Sequence, residues 1–201
     1  VLADKQTGYI KINRFAETTY DEFAKNLKDL KNQGITKLLI DLRGNPGGYL
    51  DRATDIVDEL VPGNDVIVYT KGKNPSNNYK VNAGKAGMFE KGKVVVMVDE
   101  GSASASEIVS GALQDYDRAT IVGRRTFGKG LVQAPIQLSD GSELRLTISR
   151  YYIPSGRGIQ KPYELGHQEE YYKDIAQRHT GKELFVKDSI KNNQKLKFKT
   201  K

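Results

Sequence analysis

The sequence predicts an α/β domain with a largely parallel sheet. Three features predict it: apolar runs of strand length, amphipathic stretches of helical period between them, and Gly/Pro turns at the junctions. Gly8-Tyr-Ile-Lys-Ile-Asn13 alternates apolar and polar residues and reads as the first strand. Thr19-Tyr-Asp-Glu22 has the spacing of a capping box, and Tyr20, Phe23, Leu27 and Leu30 then recur at helical intervals until Gly34 offers a stop. Lys37-Leu-Leu-Ile-Asp-Leu42 is a continuous apolar run of the kind found in strands covered on both faces. It runs into the turn Arg43-Gly-Asn-Pro-Gly-Gly48 and then into a helix carrying Ala53, Ile56, Val57 and Leu60, which Pro62-Gly63 ends.

The unit repeats in outline. Asp65-Val-Ile-Val-Tyr69 reads as a strand, Asn74-Pro-Ser-Asn-Asn78 as a polar loop, and Lys93-Val-Val-Val-Met-Val98 as a second buried strand, before a helix with Ile108, Val109, Ala112 and Leu113. Ala119-Thr-Ile-Val122 is a short strand. Gln133 to Leu138 and Glu143 to Ser149 alternate around Ser139-Asp-Gly141 and read as a hairpin. Beyond residue 164 the pattern weakens into an extension with one helix expected around Glu169 to Arg178.

The chain has 201 residues, 37% of them hydrophobic, enough to bury a core. It has no apolar run near the ~20 residues that cross a bilayer and no charged-then-apolar leader. The absence of cysteine rules out disulfides, thiolate metal sites and a cysteine nucleophile. A net charge of +7 raises nucleic acid as a partner. The lysines, however, are spread over helix faces with no aromatic-interleaved basic motif, and the cationic stretch Lys187 to Lys201 reads as a solvated edge, so no nucleic acid is expected.

The chemistry gathers at Val98-Asp-Glu-Gly-Ser-Ala-Ser-Ala-Ser-Glu-Ile108, where a strand turns into a helix and three serines alternate with alanines. Helix N-termini at the carboxyl ends of strands present unpaired N–H groups to a ligand. Ser102 is placed as the N-cap and Ser104 in the first turn, where its hydroxyl can project into a crevice. Capping and small-residue packing is the default reading of all three. A nucleophile needs a base, and the two histidines, His167 and His179, fall in the weakly patterned extension. Lys129, in Thr126-Phe-Gly-Lys-Gly130, differs from the solvent-directed Lys25, Lys28 and Lys31 in being flanked by glycines and an aromatic. A lysine acts as base only as the neutral amine. Asp41 and Arg43 read as structural parts of the strand-turn, and Asp99 with Glu100 lacks the histidine spacing of a metal site, so no metal and no cofactor is expected.

Gly101-Ser-Ala-Ser-Ala-Ser-Glu-Ile108, then Gly111-Ala-Leu-Gln-Asp115, Gly123 and Phe127-Gly-Lys-Gly130, closely resembles the carboxy-terminal processing peptidases, the tail-specific serine proteases of the S41 class. Leu42-Arg-Gly-Asn-Pro-Gly-Gly48, Gly8-Tyr-Ile-Lys-Ile12 and Tyr152-Ile-Pro-Ser-Gly-Arg-Gly-Ile-Gln160 extend the likeness to roughly residues 6–163. The resemblance implies a crotonase/ClpP-like layered ββα core over residues 1–163, with 164–201 as an extension. It also implies Ser104 as nucleophile, Lys129 as base and Gln133 as the polar residue that orients the lysine. Oxyanion donors would be the Ala105 N–H and one from the Gly47-Gly48 turn.

Also implied are polypeptide substrates recognised by their C-terminal tails, a PDZ module for which the stretch before Gly8 leaves no room, and action in the periplasm or cell envelope. A homo-oligomer would suit a protease that must restrict access, although no apolar surface helix demands one. The alternatives are a non-catalytic ligand- or peptide-binding module, as in retinoid-binding relatives of this core, and acyl-CoA chemistry on a crotonase-like fold. Retention of both Ser104 and Lys129 speaks against the first, and the lack of a basic nucleotide pocket against the second.

Overall fold

The computed structural model describes residues 1–162 and 168–181. The elements run β1 (Thr7–Lys11), α1 (Thr19–Asn32), β2 (Lys37–Asp41), α2 (Leu50–Asp58), β3 (Val66–Gly72), a 3-10 turn (Pro75–Asn77), β4 (Lys80–Asn82), β5 (Lys93–Val98), α3 (Ala105–Asp115), β6 (Ala119–Gly123), β7 (Leu131–Gln137), β8 (Glu143–Tyr152) and α4 (Gln168–Thr180). The expected parallel sheet is present, with order β1-β2-β5-β6. Its central strands come from the two longest apolar runs. Leu38, Ile40, Val94, Val96 and Val98 are buried, and the intervening Leu39, Val95 and Met97 are half-buried. Such double coverage is why those strands lack polar alternation.

A second sheet, order β4-β3-β8-β7, is antiparallel throughout. This corrects the expectation that Asp65–Tyr69 continues the parallel repeat: β3 pairs instead with β4 and with β8, the long strand of the expected hairpin. Its buried Ile67 and Val68 carry no signal of which sheet they join.

α1 buries Phe23, Leu27 and Leu30, the stripe its period predicts. Its start differs in detail. Thr18, not Thr19, is the N-cap residue, while Thr19 Oγ1 accepts the Ala16 N–H and donates to the Arg14 carbonyl. α2 packs against α1 and α3, and one core joins Phe15, Leu27, Ile40, Leu42, Ile56, Leu60, Val96, Ile108 and Leu113. Among the described residues no helix is long and apolar enough to cross a membrane. The expected helix of the extension is α4. Lys187–Lys201 and His167 lie outside the described residues, and so does most of the expected 164–201 extension.

Candidate active site

Two turns meet at the carboxyl ends of β2 and β5. After β2, the Arg43–Gly48 turn is fastened by buried polar groups. Asp41, fully buried, accepts the Tyr9 hydroxyl (2.8 Å), the Arg43 N–H (3.0 Å) and both Arg43 Nε (2.9 Å) and Nη2 (2.7 Å). The Arg43 guanidinium holds the Asp41 carboxyl well below the usual carboxylate range. Asp99 Oδ1 accepts the N–H groups of Gly44 (2.8 Å) and Gly101 (2.9 Å), joining the two turns. Asn45, also fully buried, donates from Nδ2 to the Ile12 carbonyl (2.8 Å) and accepts the Gly47 N–H (2.9 Å). Its own carbonyl accepts the Ala103 N–H and the Ser106 hydroxyl, both at 3.0 Å.

Gly47 and Gly48 sit at φ 97° and 147°. A Cβ on Gly47 would lie 2.8 Å from Ser104 Cβ and 3.0 Å from the Ala105 nitrogen, and one on Gly48 would lie 2.0 Å from the Phe15 carbonyl oxygen. Only glycine lets this turn approach the serine so closely. The Gly47 N–H is already committed to Asn45. Those of Gly48 and Ala105 have no hydrogen-bond partner among the described residues.

After β5 the serines take different places from those expected. Ser104, not Ser102, is the N-cap of α3, at φ 55° and ψ −114°. A non-glycine residue there is strained by ~1–3 kcal/mol, and such strain gathers at functional sites. A serine held on a sharp, strained strand-to-helix turn is the geometry that exposes a nucleophile. Ser102, fully buried, accepts the Asp99 N–H (2.9 Å) and donates to the Leu42 carbonyl (2.8 Å). Ser102 and Ser106 thus bind the Ser104 turn to Leu42, just past the end of β2, and to the Arg43–Gly48 turn, and Ser104 stands between them, half-buried.

Sequence reasoning missed Glu107. This buried carboxylate accepts four hydrogen bonds: Ser104 N–H (2.9 Å) and Lys129 N–H (2.8 Å) on Oε2, and Gly128 N–H and Thr126 Oγ1 (2.7 Å each) on Oε1. The Ser-x-x-Glu spacing of Ser104 and Glu107 was the available signal. One oxygen atom therefore fixes the main chain of both the candidate nucleophile and the candidate base.

Lys129 lies in the segment between β6 and β7. Its side chain is exposed and lines a cavity of about 470 Å³ with Phe127, Leu131, Gln133, Thr147, Gln160 and Tyr171. Gln133 is exposed on β7 opposite Thr147. The structure brings the Ser104 and Lys129 backbones to one carboxylate, but among the described residues neither Ser104 nor Gln133 makes a side-chain hydrogen bond to Lys129 Nζ. His179 falls in α4.

Residues 6–169 match the family described as peptidase family S41. The chain is 41% identical over 157 residues to the carboxyl-terminal-processing protease of Synechocystis sp., covering 78% of this chain and 36% of that one. It is 38% identical over 150 residues to the chloroplastic carboxyl-terminal-processing peptidase 3 of Arabidopsis thaliana, covering 75% and 29%. Among solved structures, the photosystem II D1 C-terminal processing protease superposes with a TM-score of 0.71 at 34% identity, over 77% of this chain and 39% of that one. The chain spans about a third of the length of the curated relatives it matches.

Proposed function

The chain belongs to peptidase family S41, and from that premise we propose that it is the catalytic core of a serine endopeptidase that cuts polypeptides with a Ser104/Lys129 dyad. The observation that carries the reading is the strained Ser104 turn, wired through Glu107 to the segment bearing Lys129. Lys129 Nζ, as the neutral amine, takes the proton of Ser104 Oγ as that oxygen attacks the scissile carbonyl carbon. The negative oxygen of the tetrahedral intermediate is met by the N–H groups of Ala105 and Gly48. Gly48 is the better of the two glycines because the Gly47 N–H is occupied by Asn45. A donor of this kind is worth ~100- to 1000-fold in rate. Collapse expels the amine, which takes the proton back from Lys129, and water then resolves the acyl-enzyme by the same steps. Gln133, on the wall of the same cavity, orients the amine.

The wider reading extends the resemblance drawn from the sequence, and of it the relatives' names support only processing at a polypeptide's carboxyl terminus. Substrates are unfolded or tagged polypeptides engaged at their C-terminal tails, a PDZ module belongs to the longer protein, and the site of action is the periplasm or cell envelope. Residues 1–163 form a crotonase/ClpP-like layered core, and 164–201 follow as an extension whose helix α4 docks on it.

The test is incubation with an unstructured protein such as casein and identification of fragments by mass spectrometry, for the unaltered chain, Ser104→Ala and Lys129→Ala. Loss of cleavage in both variants is expected. Cleavage that survives Lys129→Ala removes the dyad. A second reading, a peptide-binding module on this fold, draws on the exposure of Lys129 and on the absence, among the described residues, of a hydrogen bond from Ser104 to Lys129 Nζ. It predicts casein binding without fragments in the unaltered chain.

A further inference from the structure

The segment carrying Lys129 is gripped from two sides. Glu107 holds it from within, through the N–H groups of Gly128 and Lys129. From outside it is held by α4, a helix that lies almost wholly beyond the residues matching the family. Arg178 of α4 is 3% exposed, and its Nη1 donates to the carbonyls of Arg125 (3.0 Å) and Thr126 (2.9 Å). Its Nη2 donates to Asp174 (2.6 Å), which also accepts Lys161 Nζ (3.2 Å) and lies 3.6 Å from the Arg125 guanidinium. Lys161 Nζ donates to the Tyr171 carbonyl (2.9 Å) and sits 4.4 Å and 4.1 Å from the ring centres of Phe127 and Tyr171. Those two rings meet edge to face, and the Lys161 N–H closes the contact on the Gly128 carbonyl (3.0 Å).

A guanidinium is costly to bury, and a helix that merely trailed over the surface would leave its arginine in water. Here the charge is buried where Nη1 alone takes two successive carbonyls of the segment and Nη2 takes Asp174, so that one planar group ties the segment to a carboxylate of α4; a lysine could reach only part of this set. We infer that Arg178 is a positioning residue for the peptidase reaction: through the Arg125 and Thr126 carbonyls it fixes the Lys129 segment, so that α4 is a working part of the site. The inference rests on the assignment of Lys129 as base.

The test pairs a structural with a catalytic readout on Arg178→Ala, Arg178→Lys and Lys129→Ala in the full chain. In Arg178→Ala, amide exchange of residues 124–129 should speed up about tenfold or more while β2 and β5 keep their protection. Casein turnover should fall in kcat by at least about tenfold with KM little changed, since a displacement near 1 Å at a reacting group can cost ~100-fold. Arg178→Lys should recover part of both, and it supplies the test if Arg178→Ala fails to fold.

Unchanged exchange across 124–129 in both variants overturns the inference whatever the catalytic chemistry is. Faster exchange with unchanged kcat, beside an inactive Lys129→Ala, overturns the positioning role while leaving the dyad in place. An active Lys129→Ala removes the dyad and the inference together, and is recognised by that variant alone.

Discussion

The turn that faces Ser104 and the segment that carries Lys129 are secured by different means. The first is tied down by Asp41, Asn45, Asp99, Ser102 and Ser106, most of them fully buried and each binding main-chain groups of another strand or turn. The second lies past the edge strand β6, held on its inner side by the Glu107 carboxylate and by the Phe127 N–H on the Ser102 carbonyl (2.9 Å), and on its outer side by α4. The proposed nucleophile and oxyanion donors are thus held by the core, where many bonds share the work. The proposed base is placed by fewer bonds, of which those to Glu107 and Arg178 are joined by the Phe127 N–H on the Ser102 carbonyl and the Lys161 N–H on the Gly128 carbonyl, and its side chain is exposed.

The largest effect that separates the two regions is expected at Glu107. In Glu107→Gln the side chain keeps one acceptor oxygen and presents an NH₂ group to N–H donors that the carboxylate now satisfies. Buried donors left without an acceptor cost ~1–3 kcal/mol each. The Lys129 segment is the part free to move away. Turnover is expected to fall about 100-fold, with a drop in melting temperature and faster exchange at 124–129 rather than at 41–48. Equal loosening of both regions would show that the contrast between them is false.

The sequence made the nucleophile side legible and hid the base side for a physical reason. Lys37–Leu42 and Lys93–Val98 announce buried strands because burial on both faces is written locally, in composition. The sheet that β3 joins is decided by pairing with Tyr151 and Tyr152, far along the chain, and so was misread. β4, three residues of Lys-Val-Asn, offers no apolar pattern at all. Glu107 was visible as a helix-start residue, but three of its four donors come from Thr126, Gly128 and Lys129, a tertiary fact. The choice between Ser102 and Ser104 as cap turns on one backbone dihedral that no local pattern encodes. α4 was legible as a helix and illegible as a brace, because an amphipathic period does not name what it docks on.

Acid should separate the two regions more gently. Hydrogen bonds from Arg43 hold Asp41 well below the ordinary carboxylate range. Partial burial works against ionisation of Asp174, but the bonds from Arg178 and Lys161 outweigh it and hold that carboxyl lower than usual as well. Both groups are more acidic in the fold than in the unfolded chain. Each therefore contributes stability that is fully present above the unfolded carboxylate value near ~4 and is lost as the pH falls through the folded one. Because Asp41 is pulled further down, α4 and residues 124–129 should lose exchange protection at a higher pH than residues 41–48 do. Loosening of 41–48 first would reverse the order proposed for the two halves.

The smallest effect is expected from Ser102→Ala, and its smallness tests whether the nucleophile side really shares its load. The lost hydroxyl releases the Leu42 carbonyl, but that carbonyl keeps the Asn45 N–H at 3.1 Å. The freed Asp99 N–H adjoins a turn in which Asp99 and Glu100 are half-buried and Gly101 is exposed, so that water can approach it. A net cost of about 1 kcal/mol is expected, read as a modest fall in melting temperature with casein turnover intact. The cost is that of a strand-to-turn bond, since the helix cap belongs to Ser104. A Ser102→Ala protein that melts normally but no longer cleaves would mean that the hydroxyl sets the angle of the Ser104 turn, and that the nucleophile side depends on single bonds as the base side does.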